Sequence, residues 1–134
     1  MNKMLLTLLI VVFFSGNLLA QVSPITPKAA SVRITQGPEL ELAKEYLTII
    51  RWTTNNPGGT PDHFGIVRYG TDPNNLSQTA KSPIRLNPSH ASTIFRVRVQ
   101  GLKPATTYYY TVDSEDSNGV SDGVKSSTQS FTTQ

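Results

Sequence analysis

Two histidines, His63 and His90, are the only imidazoles in the 134-residue sequence, and cysteine is absent. Thiolate chemistry and disulfides are thereby excluded, and metal ligation or acid–base work would rest on these two side chains. Both sit next to loops expected at one end of the fold. Neither has a carboxylate at ligand spacing, so both are read as solvated loop-edge residues. The acidic stretch Asp113-Ser114-Glu115-Asp116-Ser117-Asn118-Gly119 has the composition of a calcium loop. An EF-hand requires glycine at position six and glutamate at position twelve. Counted from Asp113, those positions hold Asn118 and Val124, so the stretch is read as a hairpin loop turning at Asn118-Gly119. Serine and threonine are abundant, but none is paired with a base, and no Gly-x-Ser-x-Gly elbow or phosphate-binding glycine loop occurs. The sequence thus predicts no catalytic residue, no metal and no cofactor.

The elements that would position any such chemistry follow from organisation along the chain. Residues 1–20 have a short basic start, an apolar run from Leu5 to Phe14 and a small residue at Ala20. This is the three-part pattern of a secretory signal peptide, with a run too short to span a bilayer. The expected compartment is therefore the periplasm, the cell envelope or the exterior. No membrane span is expected after cleavage. Residues 21–30 carry two prolines and read as a flexible or extended linker. Residues 31–134 are expected to form one domain. The formal charge of +3 is small and scattered, which argues against a nucleic-acid partner.

From Val32 onward the apolar pattern has a period of two. Short strands are expected at 32–35 and 39–42, with Gly37-Pro38 ending or bending the first. A helix over 39–47 is a rival for the second, because Glu, Leu, Ala and Lys favour helices. Further strands are expected at 46–54, 63–69, 76–80 (an edge strand), 92–99, 106–112 and 129–133. A proline-bearing loop is expected at 82–90. About seven main strands separated by turn signals predict an all-β antiparallel sandwich.

The run Leu102-Lys103-Pro104-Ala105-Thr106-Thr107-Tyr108, followed by Val112, resembles the Leu-x-Pro-x-Thr-x-Tyr-x-x-x-Val signature of fibronectin type III domains. Trp52 and Tyr69 stand where that family keeps a buried tryptophan and a strand tyrosine. The resemblance implies an immunoglobulin-like sandwich with Leu102, Pro104, Thr106 and Tyr108 at a sheet-crossing corner. A narrower resemblance is carried by Gly37-Pro38, Ile50–Asn55, Val67–Asp72 and Leu102–Tyr110. These segments are similar to the N-terminal fibronectin-like domain of purple acid phosphatases, which precedes a dimetal phosphoesterase domain. The Gly-Asp-x-Gly and Gly-Asn-His ligand motifs of that second domain do not occur in this sequence.

Function is therefore expected on outer faces and loops. Leu47, Ile49 and Arg51 of one strand, with Ile94, Arg96 and Arg98 of its expected neighbour, make a mixed apolar and guanidinium face suited to contact. The loops at 54–62, 82–91 and 113–127 are expected at one pole, the second candidate surface. The sequence predicts an exported, non-catalytic module that binds a protein or glycan. The alternatives are an accessory domain of the phosphatase type, and a carbohydrate-binding or inhibitor module using the loop pole.

Overall fold

The computed structural model describes Gly16 and residues 26–44 and 46–134. The expected leader, Gly16 aside, and the first half of the expected linker lie outside the described residues. Seven strands form: β1 (Ile34–Lys44), β2 (Leu47–Asn55), β3 (Asp62–Gly70), β4 (Gln78–Arg85), β5 (Ser92–Val99), β6 (Thr107–Asp116) and β7 (Gln129–Thr132). They make two antiparallel sheets, ordered β1-β2-β5 and β4-β3-β6-β7. No helix of the described residues is long and apolar enough to cross a membrane.

Period-two patterning decides what is buried. Along β5, Thr93, Phe95, Val97 and Val99 turn inward, while Ile94, Arg96 and Arg98 turn out. On β2, Thr48, Ile50, Trp52 and Thr54 are buried in the same way. Trp52 stacks on Phe95 with ring centroids 5.2 Å apart. Room for the indole comes from Gly65 on the facing sheet. A Cβ there would lie 2.8 Å from Val97 and 3.0 Å from the Trp52 ring. Tyr69, Tyr108, Tyr110 and Phe131 pack edge-on and stacked at the other end. Each large side chain so buried contributes roughly 1.5–3 kcal/mol.

Three local readings change. The segments expected at 32–35 and 39–42 are one strand, β1, which continues through a cis Gly37-Pro38 peptide with register shifts on both sides. Pairing of β1 with all of β2 overrides the helical propensity of Glu39–Leu47, so the rival helix does not form. The edge strand begins at Gln78, not Leu76, and runs to Arg85 through Pro83, within the stretch expected as loop. Proline is tolerated there because β4 is an edge strand and one side of it needs no donor. β6 outlasts its expected end at Val112 by four residues, since Asp113 to Asp116 keep their pairing with β3.

Candidate functional site

The loops between β2 and β3, β4 and β5, and β6 and β7 meet at one pole. Asn56 Nδ2 donates to the carbonyls of Asn87 and His90 at 2.9 and 2.8 Å. Leu86 N donates to Pro61 O at 2.7 Å, and Ser117 N to Thr60 Oγ1 at 3.4 Å. Residues 26–29, at the end of the expected linker, lie against the same loops through Ala29 N to Pro57 O and Gly59 N to Thr26 O, both 2.8 Å. Gly58 lets this segment approach, because a Cβ there would sit 2.0 Å from the Pro27 carbonyl oxygen.

Beneath these loops lies a cluster the sequence reading missed. His63 is not a solvated residue: it points inward from β3 and is 1% exposed. Its Nε2 stands 3.3 Å from Asp122 Oδ1. Asp122 Oδ2 accepts from Ser114 Oγ at 2.7 Å, and Asp122 N donates to Ser114 O at 2.9 Å. The His63–Asp122 contact is ionic in distance but not aligned as a hydrogen bond. Asp122 Oδ1 and both imidazole nitrogens have no hydrogen-bond partner. A signal for two of the three was present: His63 and Ser114 keep period two with Gly65 and Val112, which places them on the core side. Nothing local in the sequence marks Asp122, 59 positions from His63.

Serine, histidine and aspartate together evoke a nucleophilic triad, but the order is wrong for one. Activation requires the imidazole to take the hydroxyl proton, with the carboxylate behind the imidazole. Here the carboxylate lies between the other two, and Ser114 is wholly buried. The arrangement ties the β6–β7 loop onto β3 and β6. No group of three or more metal-ligating side chains occurs among the described residues.

Just outside this cluster Asp113 accepts from Ser121 Oγ and lies 3.7 Å from Arg68. Burial pushes its carboxyl above the ordinary range. Asp116 moves the other way, held down chiefly by the Val120 N–H that it accepts. His90 stays on the exposed β4–β5 loop, apart from His63. An open groove of about 400 Å³ lies on the flank of the pole, with Phe64, Pro83 and Ile84 as its floor and Asp62, Arg85 and Ser117 at its rim.

The structure also brings the expected outer face together. Ile49 pairs with Arg98, Arg51 with Arg96, and Thr53 with Ile94 across β2 and β5. Ile94 is 45% exposed, and Leu47, Ile49 and Arg51 are half-buried. β1 adds acids to this face: Arg51 meets Glu39 at 3.3 Å, and Arg96 binds both oxygens of Glu41 at 2.7 and 2.8 Å. Glu41 is therefore held below the usual glutamate value.

The signature residues run through the core, with Leu102, Pro104, Thr106 and Tyr108 at the end opposite the loop pole. Trp52, Tyr69, Leu102, Tyr108 and Val112 are core residues. The Tyr108 hydroxyl accepts from Lys103 N at 2.9 Å, and Thr106 Oγ1 donates to Pro104 O at 2.8 Å.

These features can be set beside known proteins. Among curated proteins none matches the chain. The solution structure of the sensor domain of the anti-sigma factor RsgI4 from Pseudobacteroides cellulosolvens is similar. It is 18% identical, with 77% of this chain and 74% of that chain covered and a TM-score of 0.50. A second structure of that sensor domain is also 18% identical, with 77% and 87% covered and a TM-score of 0.48. The likeness at 0.50 is one of fold. Residues 39–133 match the family described as "Purple acid Phosphatase, N-terminal domain". That span takes in β2 to β7 and most of β1, and it is the accessory rather than the catalytic part of such enzymes. The chain belongs to the purple acid phosphatase N-terminal domain family.

Proposed function

We propose that the chain is an exported, non-catalytic fibronectin-like module that works by contact, offering the outer face of β1, β2 and β5 to a protein. One observation carries this reading: Leu47, Ile49 and Ile94 lie among Arg51, Arg96 and Arg98 on the outer face of one sheet. Apolar surface with guanidinium groups is the composition of interface cores. The His63–Asp122–Ser114 cluster supports the non-catalytic part, because its buried order activates no nucleophile. The leader pattern of residues 1–20 supports export.

The experiment is replacement of Ile49 and Ile94 together by Thr, followed by capture of partners from native envelope material. The expected result is loss of the partners that the unaltered chain retains. Retention of every partner overturns the reading.

A second reading is an accessory domain serving a phosphatase domain, favoured by the family match over residues 39–133. The groove at Phe64, Pro83 and Ile84 favours a third, a glycan site, since an aromatic floor with a charged rim suits a sugar ring. A glycan array with no bound sugar would remove it.

A further inference from the structure

The charge left over on the β1-β2-β5 face is positive. Its outward residues include Lys44 on β1, Arg51 on β2, and Arg96 and Arg98 on β5, against the acids Glu39 and Glu41. Both acids are already taken, Glu39 by Arg51 and Glu41 by Arg96. Lys44 and Arg98 are exposed and have no ion-pair partner among the described residues. The main chain of Arg98 is tied down, because its N–H donates to Ser82 Oγ at 3.3 Å. The Lys44 ammonium lies 5.7 Å from the centre of the Tyr46 ring, which is 66% exposed.

Strand register places these two cations. Lys44 pairs with Leu47, and Ile49 stands between Leu42 and Arg98. The line from Lys44 to Arg98 therefore crosses two strand spacings and two residue steps, about 12 Å between Cα positions. It passes over β2 between Leu47 and Ile49, both half-buried and apolar. Two cations thus flank an aliphatic pair.

We propose that this diagonal binds an extended acidic segment of a partner protein, with two carboxylates four residues apart and an apolar side chain midway. The inference rests on the contact reading of the sheet face and names the chemistry of the partner. In an extended chain, side chains at i, i+2 and i+4 share one face and span about 13 Å. One carboxylate then meets Lys44 and the other Arg98, while the apolar side chain settles between Leu47 and Ile49. Glu39 and Glu41 do not compete for either cation, because each is held by its own arginine. A face three strands wide has room for a short segment but not for the roughly 800 Å² per partner of a standard interface. Binding is weak and salt-sensitive, because both ion pairs are exposed.

Heteronuclear NMR of the isotope-labelled full chain tests this, by titration at low salt with the blocked heptapeptide Gly-Asp-Ser-Leu-Ser-Asp-Gly. Saturable shifts of the Leu47, Ile49 and Arg98 amides are expected. Lys44→Glu or Arg98→Glu alone should weaken binding about fivefold, the loss of one exposed pair. A heptapeptide of the same composition with its acids adjacent, Gly-Asp-Asp-Ser-Ser-Leu-Gly, should bind more weakly by a similar factor. Gly-Lys-Ser-Leu-Ser-Lys-Gly should not bind. Lys44→Glu combined with Arg98→Glu should reverse the choice, taking the lysine peptide and refusing the aspartate one. Circular dichroism of each variant confirms folding before it is compared. No shift on this face with the first peptide overturns the inference, as does equal binding of the rearranged peptide or a preference that the double reversal leaves unchanged. The contact reading fails separately, only if the Ile49→Thr, Ile94→Thr variant keeps every partner.

Discussion

The two ends of the sandwich bury polar side chains with opposite success. At the Tyr108 end, the phenol hydroxyl meets Lys103 N, and Thr106 N donates to Thr133 Oγ1 at 3.0 Å. At the loop pole, both imidazole nitrogens of His63 and one oxygen of Asp122 have no hydrogen-bond partner. Burying a polar group is costly unless it is bonded, and breaking a buried pair from one side costs more than removing both members. The first end is thus a fitted corner. The second is a lock that holds the β6–β7 loop at an energetic disadvantage.

Unfolding in urea should separate the two ends. Asp122→Ala has the largest expected effect, a loss of about 3 kcal/mol, because it strips Ser114 of its acceptor and leaves His63 facing nothing. Tyr108→Phe should lose about 1–1.5 kcal/mol, the worth of one well-made hydrogen bond. Replacing both members at the pole, His63→Leu with Asp122→Val, should fall within about 1 kcal/mol of the unaltered chain or exceed it. A loss for that pair as large as for Asp122→Ala alone would erase the distinction between the ends.

The smallest effect lies away from both ends. Arg96 lowers the folded-state value of Glu41, so their pair adds stability at neutral pH that is lost as the pH falls through that value. Glu41→Gln should flatten the acid limb of the stability curve below about pH 4.3. Asp113 runs the other way. Burial raises its value, so its unfavourable charge is relieved as the pH falls, and Glu41→Gln should leave that component in place.

The corner was legible in the sequence because its chemistry is local. Leu102 to Tyr108 span seven positions, and the hydroxyl bond joins residues 103 and 108 within them. Strong alternation likewise made β2, β3 and β5 legible. The lock was not, because its members come from β3, β6 and a loop, and only the fold brings Asp122 to His63. β1 and β4 were misdrawn for a related reason. Their prolines and mixed propensities read as breaks, and only pairing with β2 and β3 carries the strands through them.

The proposal of a non-catalytic module requires that the polar cluster at the pole serve the fold and not hydrolysis. A phosphomonoester assay of the purified chain, supplied with iron, zinc or manganese and then with a chelator, tests it most directly. The account predicts no turnover above a metal-only blank and no change with Ser114→Ala. Turnover that survives repurification, disappears with the chelator and is abolished by His63→Asn or Ser114→Ala would contradict it.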